Sequence, residues 1–585
     1  MFRSSCILLF FTLAYCLPQE SASLSLQSRQ SCENSPTSRE CWGQYSIDTD
    51  YYTVFPDTGV TREYWLVAQN VTISPDGYER KALVINGTMP GPTIEADWGD
   101  TIMIHVTNEM DDGTAIHWHG IRQFHSVMAD GVPGVTQCPI PPGETMTYKF
   151  KATQYGTSWY HSHFSLQLGD GMLGPIVIHG PATANYDVDL GPFVIQDWGH
   201  VSAFTIWTDW TRLDQQHKLA LFQPALENGL IGGENTYDCT KSTDPACTGR
   251  GKRTEAVFEP GKKYRLRLVG AQIDGYFKFT IDGHKFTVIS NDFVPIKPYQ
   301  TDNVIIVSGQ RYDIVVEANQ PIGNYWMRAI YQTACNQNDN DNKDNIRGIV
   351  RYAGAATDVD PTTSQWSGIK DSCGDEPYSN LVPWVKMDVG ESSYKGDLPV
   401  RWYYELNLAF HWTLGTGTMI VNWSDPTVSQ LYHGDNQFEE NDNVIRVTQS
   451  DKWTYWVITD QTIVNVYHPM HLHGHDLFVL AQGRGIFNPL TVKLNTVNPP
   501  RRDTVSIEGT GYLVIAFLSD NPGSWLFHCH IAWHASQGLS LQYMERESEI
   551  PGLIDASSAS AMDSQCAKWR DWYKTTDHPQ DDSGI

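Results

Sequence analysis

Eleven of the chain's 20 histidines fall in four short clusters. They read His117-Trp118-His119-Gly120; His161-Ser162-His163; His468-Pro469-Met470-His471-Leu472-His473-Gly474-His475; and His528-Cys529-His530 with His534. One such cluster could be structural, but four together, each holding a His-x-His or His-Cys-His triplet, make a metal-binding pattern. On a strand, residues i and i+2 point to one face, so each pair can aim two imidazoles at one place. His528 and His530 share a face, and Cys529 points the other way. One strand would therefore serve two metal centres joined by a single residue of backbone. One thiolate with two imidazoles suits a blue-copper site: Cys529, His534 and a histidine from elsewhere give the trigonal set. The weak axial position falls near Leu539, which offers no sulfur and should raise the potential. Zinc is the rival metal, but structural zinc prefers closed four-ligand sites and no Cys-x-x-Cys accompanies these histidines.

The elements that must position these side chains read as strands. Thr101–Val106, Asn303–Val307 and Tyr512–Phe517 are apolar, β-branched or aromatic runs punctuated by Gly, Pro, Asn and Asp. Long helical periodicity is scarce, so the expected class is all-β, with several sandwich or Greek-key domains. A repeat supports this. Gly156-Thr157-Ser158-Trp159-Tyr160-His161-Ser162-His163 resembles Gly523-Ser524-Trp525-Leu526-Phe527-His528-Cys529-His530, and Gly323-Asn324-Tyr325-Trp326-Met327-Arg328 keeps the tryptophan without histidines. Three copies imply three related domains, the middle one a spacer. Expected boundaries are 30–180, 181–356 and 385–547, with a linker at 357–384 and a C-terminal tail at 548–585. The Asn/Asp-rich segment 336–345 reads as a solvated loop.

Composition agrees. Of 585 residues, 41% are hydrophobic, 12% aromatic and 18% charged, a globular balance. The length suggests about four domains, or fewer if they are large. A net charge of -26 disfavours nucleic acid and anionic membrane as partners. Residues 1–29 read as a secretory signal with a possible propeptide, because Met1-Phe2-Arg3 precedes a short apolar run. A secreted, extracellular protein is expected, without a membrane span. Beyond the signal nine cysteines remain, so one should be unpaired, and Cys529 is the candidate. The other eight could form four bridges. Short loops favour Cys32–Cys41 and Cys239–Cys247, and the remaining pairing stays open. Sequons at Asn70, Asn86 and Asn422 fit a secreted glycoprotein.

The four histidine motifs, the Gly156–Gly174 run, Pro499-Pro500-Arg501-Arg502-Asp503-Thr504 and His528–Leu539 together resemble the multicopper oxidases, most closely ascomycete-type laccases. The resemblance spans Cys32 to Ile585. It implies three cupredoxin-like Greek-key domains and four copper ions: one blue type 1, one type 2 and two type 3. It assigns His468, Cys529 and His534 to the blue copper, with Leu539 non-coordinating. His117 and His471 go to the type 2 copper. His119, His161 and His530 go to one type 3 copper, and His163, His473 and His528 to the other. His475 is left as a structural residue. The end, Asp582-Ser583-Gly584-Ile585, looks like the family's C-terminal plug, with no further extension to be trimmed.

The implied activity is a laccase, probed as an oxidase of phenols and related aromatics, including lignin-derived ones, with dioxygen as acceptor and the protein a monomer. Electrons are expected to enter at an exposed edge of His468 and pass through Cys529. Asp130 and Asp582 are candidate proton donors, although an Asp before Gly also suits a turn and a tail carboxylate also suits solvent. Asp238 is the expected carboxylate near His468. Val464 and Val466 are expected pocket walls, with Phe410 and Trp412 adding aromatic surface. Three alternatives are weaker. A ferrous-iron oxidase would want carboxylates near His468, where Thr462–Tyr467 is neutral. An ascorbate oxidase would favour an axial Met. A copper-storage protein would need no electron path.

Overall fold

The computed structural model describes residues 32–211, 224–335, 339–405 and 409–585. The expected signal segment, and residues 336–338 of the Asn/Asp-rich loop, lie outside them. The chain folds as three β-sandwich units, each of two main sheets. Alternation builds them: strand Thr101–Asn108 buries every second residue, and Ile102, Ile104 and Val106 lose all solvent contact.

One topology occurs three times. In one sheet of each unit the repeat strand is central: Gly156–Ser162, Asn324–Tyr331 and Gly523–Cys529. An earlier strand pairs antiparallel on one side: Ile116–His119, Phe277–Ile281 and His468–Leu472. A later strand pairs on the other side, flanked by a parallel edge strand. The facing sheet repeats a parallel pair followed by an antiparallel third strand. Each unit has its own apolar core.

The eight remaining described cysteines pair as Cys32–Cys41, Cys138–Cys566, Cys239–Cys247 and Cys335–Cys373, leaving Cys529 free. The tail adds an element absent from the sequence reading, helix Ala556–Tyr573. Asp555 caps it, accepting from the backbone N–H of Ser557 and Ser558. Cys566 fastens the helix to the first domain, and Trp569 packs with Val132, Phe164 and Ile585 in a core at the seam between first and third domains. Among the described residues no helix is long and apolar enough to cross a membrane.

Candidate metal centres

Strand register places the histidines. In the first domain His117 lies directly opposite His161; in the third, His471 lies opposite His528 and Met470 opposite Cys529. Between His117 and His119, Trp118 turns into the first-domain core against Tyr148, ring centroids 5.2 Å apart. Cys529 likewise turns into the third-domain core. The histidine faces of the two domains meet at the seam.

Two clusters result. In the first, Cys529 Sγ lies 3.7 Å from His468 Nδ1 and 3.4 Å from His534 Nδ1, with the two nitrogens 3.0 Å apart. His534 comes from the short helix Ala532–Ser536, and the main-chain N–H of Leu539 bonds back to its carbonyl at 3.0 Å. Leu539 is fully buried in the same core. Burial pushes the Cys529 thiol well above its usual range and lowers His468 to about 4. An apo thiol there stays protonated, so a metal would have to displace the proton.

The second cluster gathers His117, His119, His161, His163, His471, His473, His528 and His530, all buried. His163, His473 and His528 form one trio with ligand atoms within 4.8 Å of one another. His119, His161 and His530 also converge, with ring centroids 4.9 to 5.8 Å apart; the His117 and His471 rings are 5.9 Å apart. Burial first, and then their neighbours' charge, hold His119, His161, His163, His471, His473 and His530 well below the ordinary imidazole range; His528 falls to about 3. They are neutral, as ligands must be. Nε2 of His117, His161 and His471 and both ring nitrogens of His163 find no hydrogen-bond partner among the described residues. Such orphaned, convergent nitrogens are what a metal would satisfy.

Other ring nitrogens are tied down, which fixes their orientation. His117 Nδ1 donates to the Asp130 carbonyl at 2.8 Å, His471 Nδ1 to the Asp503 carbonyl at 2.8 Å, and His528 Nδ1 to the Cys529 carbonyl at 2.9 Å. Asp130 sits just after the 3-10 turn Val127–Ala129, and its Oδ2 lies 2.8 Å from His473 Nδ1. It is a turn residue that also reaches two histidines.

The middle domain is more than a spacer, contrary to the sequence reading. Ser308 Oγ lies 3.0 Å from His530 Nδ1. Arg311 clamps Asp503 with two bonds of 2.7 and 2.6 Å, and Asp503 Oδ1 lies 3.2 Å from His119 Nε2. Gly309 has φ +85°, and a Cβ there would stand 2.9 Å from His530 Cδ2, so the backbone approaches the cluster as only glycine allows. Burial first raises the Asp503 carboxyl to about 6, with Arg311 opposing. The Pro499–Thr504 motif carries the signal for Asp503; nothing in the sequence marks Ser308 or Arg311.

Two expectations are corrected. Asp238 is exposed and accepts from its own loop, Thr240 N–H, at 3.0 Å. Its disulfide loop is stitched to the first-domain turn at Gly77–Glu79, where Ala246 O accepts from Glu79 N–H and Gly77 O from Thr248 N–H, and no contact ties Asp238 to the Cys529 trio among the described residues. The carboxylate whose charge acts on His468 is Asp460, bound to the N–H groups of Thr462 and Thr510. His468 also has no exposed edge: its accessible surface is 0%, against 4% for His534. The Trp412 ring packs 4.9 Å from each of these two rings. Phe410 and Val466 are buried and Val464 half-buried. Asp582 is half-buried, accepts from the Ser165 hydroxyl and from Gly584 N–H, and is raised to about 6, chiefly by desolvation of its carboxyl. His475 bridges to buried Glu545 at 2.9 Å, a structural role.

Comparison with known proteins settles the family. Multicopper oxidase models match residues 67–183, 190–355 and 409–549. The chain belongs to the multicopper oxidases. It is 50% identical over 561 residues to Laccase-2 of Botryotinia fuckeliana, covering 95% of this chain and 94% of that one. It is also 50% identical to Oxidoreductase OpS5 of Beauveria bassiana, covering 97% and 95%. The laccase structure from Botrytis aclada matches with a TM-score of 0.90 at 50% identity, covering 95% and 100%. This multicopper oxidase is of laccase type, its fold that of cupredoxin-like laccases and its cofactor copper.

Proposed function

We propose that this multicopper oxidase is a secreted laccase that holds four copper ions and oxidises phenols and related aromatics with dioxygen. His468, Cys529 and His534 would hold the blue copper, with Leu539 at the axial side. His117 and His471 would hold the type 2 ion, His119, His161 and His530 one type 3 ion, and His163, His473 and His528 the other. When bound, the copper ions supply the redox chemistry, taking single electrons from the donor and giving four to dioxygen to form two waters.

The chain's own residues do the rest. The carrying observation is the run His528-Cys529-His530, which belongs to both clusters and makes the link between them covalent. His534, the ring with residual exposure, receives the donor electron. Trp412 packs on both blue-centre imidazoles and fixes their planes. Asp130 and Asp503 set the tautomers of the histidines they touch. Asp130, at the cluster, and Asp582, whose carboxyl is raised to about 6 and so exchanges its proton in mildly acidic solution, are the proton carriers for water formation.

The test is a visible absorption spectrum of the copper-loaded protein together with oxygen uptake on a simple diphenol. An intense blue band with uptake is expected. A copper-loaded sample without the band sinks the Cys529 assignment; a band without uptake sinks the phenol reading and makes ferrous iron the next donor to try.

A further inference from the structure

A line of aromatic rings leads from the Cys529 trio to the surface. Trp412, 4.9 Å from the His468 and His534 rings, lies on strand Phe410–Leu414. This strand pairs with Ser392–Tyr404 so that Trp412 stands directly opposite Trp402, and Phe410 opposite Tyr404. Opposed residues share a face with Cβ atoms about 4.5–5.5 Å apart, so all four rings form one patch. Phe410 lies 5.3 Å from Trp412, 5.8 Å from Trp402 and 5.4 Å from Tyr404; Trp402 and Tyr404 are 5.6 Å apart. Exposure rises along the line: Trp412 is 2% accessible, Trp402 half-buried and Tyr404 38%. The His534 ring, the direct entry, offers 4%. So small an opening favours a small diphenol over a phenol fixed to a polymer.

We propose that Tyr404 is a second electron-entry site, serving phenolic polymers, with Trp402 and Trp412 as the relay; this rests on the blue-copper reading above. Trp412 gives one electron to the oxidised blue copper and recovers it from Trp402. Trp402 takes its electron from Tyr404, whose phenolic proton goes to water. The donor phenol returns a hydrogen atom to Tyr404 and leaves as a phenoxyl radical. Each donor thus loses one electron and one proton. Phe410 fills the gap between the rings and stays unoxidised.

The experiment uses the copper-loaded full chain and two donors, a free diphenol and a hydroxyphenyl group coupled to dextran. Tyr404→Phe keeps the ring and removes the ionisable hydroxyl. It should leave free-diphenol uptake unchanged and slow the dextran donor about tenfold, which is 1.36 kcal/mol. Tyr403→Phe is the control: its ring is 41% exposed on the opposite face and stacks on His411 at 5.3 Å, and it should change neither donor. A readout independent of turnover is a nitroso spin trap added without donor, with the adduct mapped by peptide mass spectrometry. It is expected on Tyr404 or Trp402 and lost from residue 404 in Tyr404→Phe. The proposal is overturned if Tyr404→Phe oxidises the dextran donor at the parent rate, if both donors slow equally, or if the parent protein carries no adduct at either residue. Absence of free-diphenol uptake in the parent protein would instead overturn the underlying reading, and the proposal with it.

Discussion

The Cys529 trio takes all three of its side chains from the third domain. The eight-histidine cluster takes four from the first domain and four from the third, and ties them down with Ser308, Arg311 and Asp503 across all three units. The trio is a local product of two paired strands, one short helix and one core. The cluster exists only when the domains are docked. The middle unit, with the same topology and no histidines on its repeat strand, secures that docking through buried charge. The difference teaches that the two centres should fail separately.

The largest separation is expected from Cys529→Ser. Loss of the thiolate should abolish the blue band and cut diphenol turnover to below about a thousandth, ~4 kcal/mol in barrier. Copper content should fall by a single ion, because no cluster ligand is touched. Loss of most of the copper, measured by metal analysis, would mean that the two centres are built together after all.

Arg311→Met attacks the other side. It strands Asp503 as an unpaired buried carboxylate, which costs about 3–5 kcal/mol. The cluster should release copper while the blue band persists, and parallel loss of both would break the comparison. Ser308→Ala is milder. Removing one orienting partner of His530 should weaken one cluster copper by about tenfold in chelator competition, at the low end of the 10–100-fold seen for such partners, leaving the blue potential unmoved.

The smallest effect concerns the tail. Asp582 sits at about 6 in the folded protein against 3.8 in the unfolded chain, so the folded state binds the proton more tightly. That stabilisation is complete below the unfolded value and is lost as pH rises through about 6. The thermal midpoint should therefore drop between about pH 5 and about pH 7, and Asp582→Asn should flatten the drop by a few degrees at most, since ~1 kcal/mol moves a domain of this size roughly 2–4 °C. An unchanged slope would remove Asp582 from the account.

Much of this was legible in the sequence because the signals were local. The period of two at His117/His119 and His528/His530 implies a shared face, and the triplicated tryptophan strand implies three like domains. What was not legible depended on distance in space. Asp238 looked suitable beside its cysteine, but the loop it rides is bonded to Gly77–Glu79, a turn more than 150 residues earlier. His468 and His534 are equivalent imidazoles in the sequence, and no local pattern says which of the two the core will cover. Ser308 is one serine among many until the fold sets it against His530. Helix Ala556–Tyr573 is hard to read in the sequence because its polar run carries only a weak apolar stripe; its burial comes from Cys566 and Trp569 meeting the first domain.

The Cys138–Cys566 bridge joins residues 428 apart in sequence. During synthesis the first domain emerges and folds long before its partner cysteine has been made. The clasp can close only after the third domain is complete, in a compartment that still supplies oxidant. Copper offered earlier would meet four histidines on a half-built seam. One step of the assembly order is thus written into the covalent topology: the seam is clasped only once the chain has been made through Cys566.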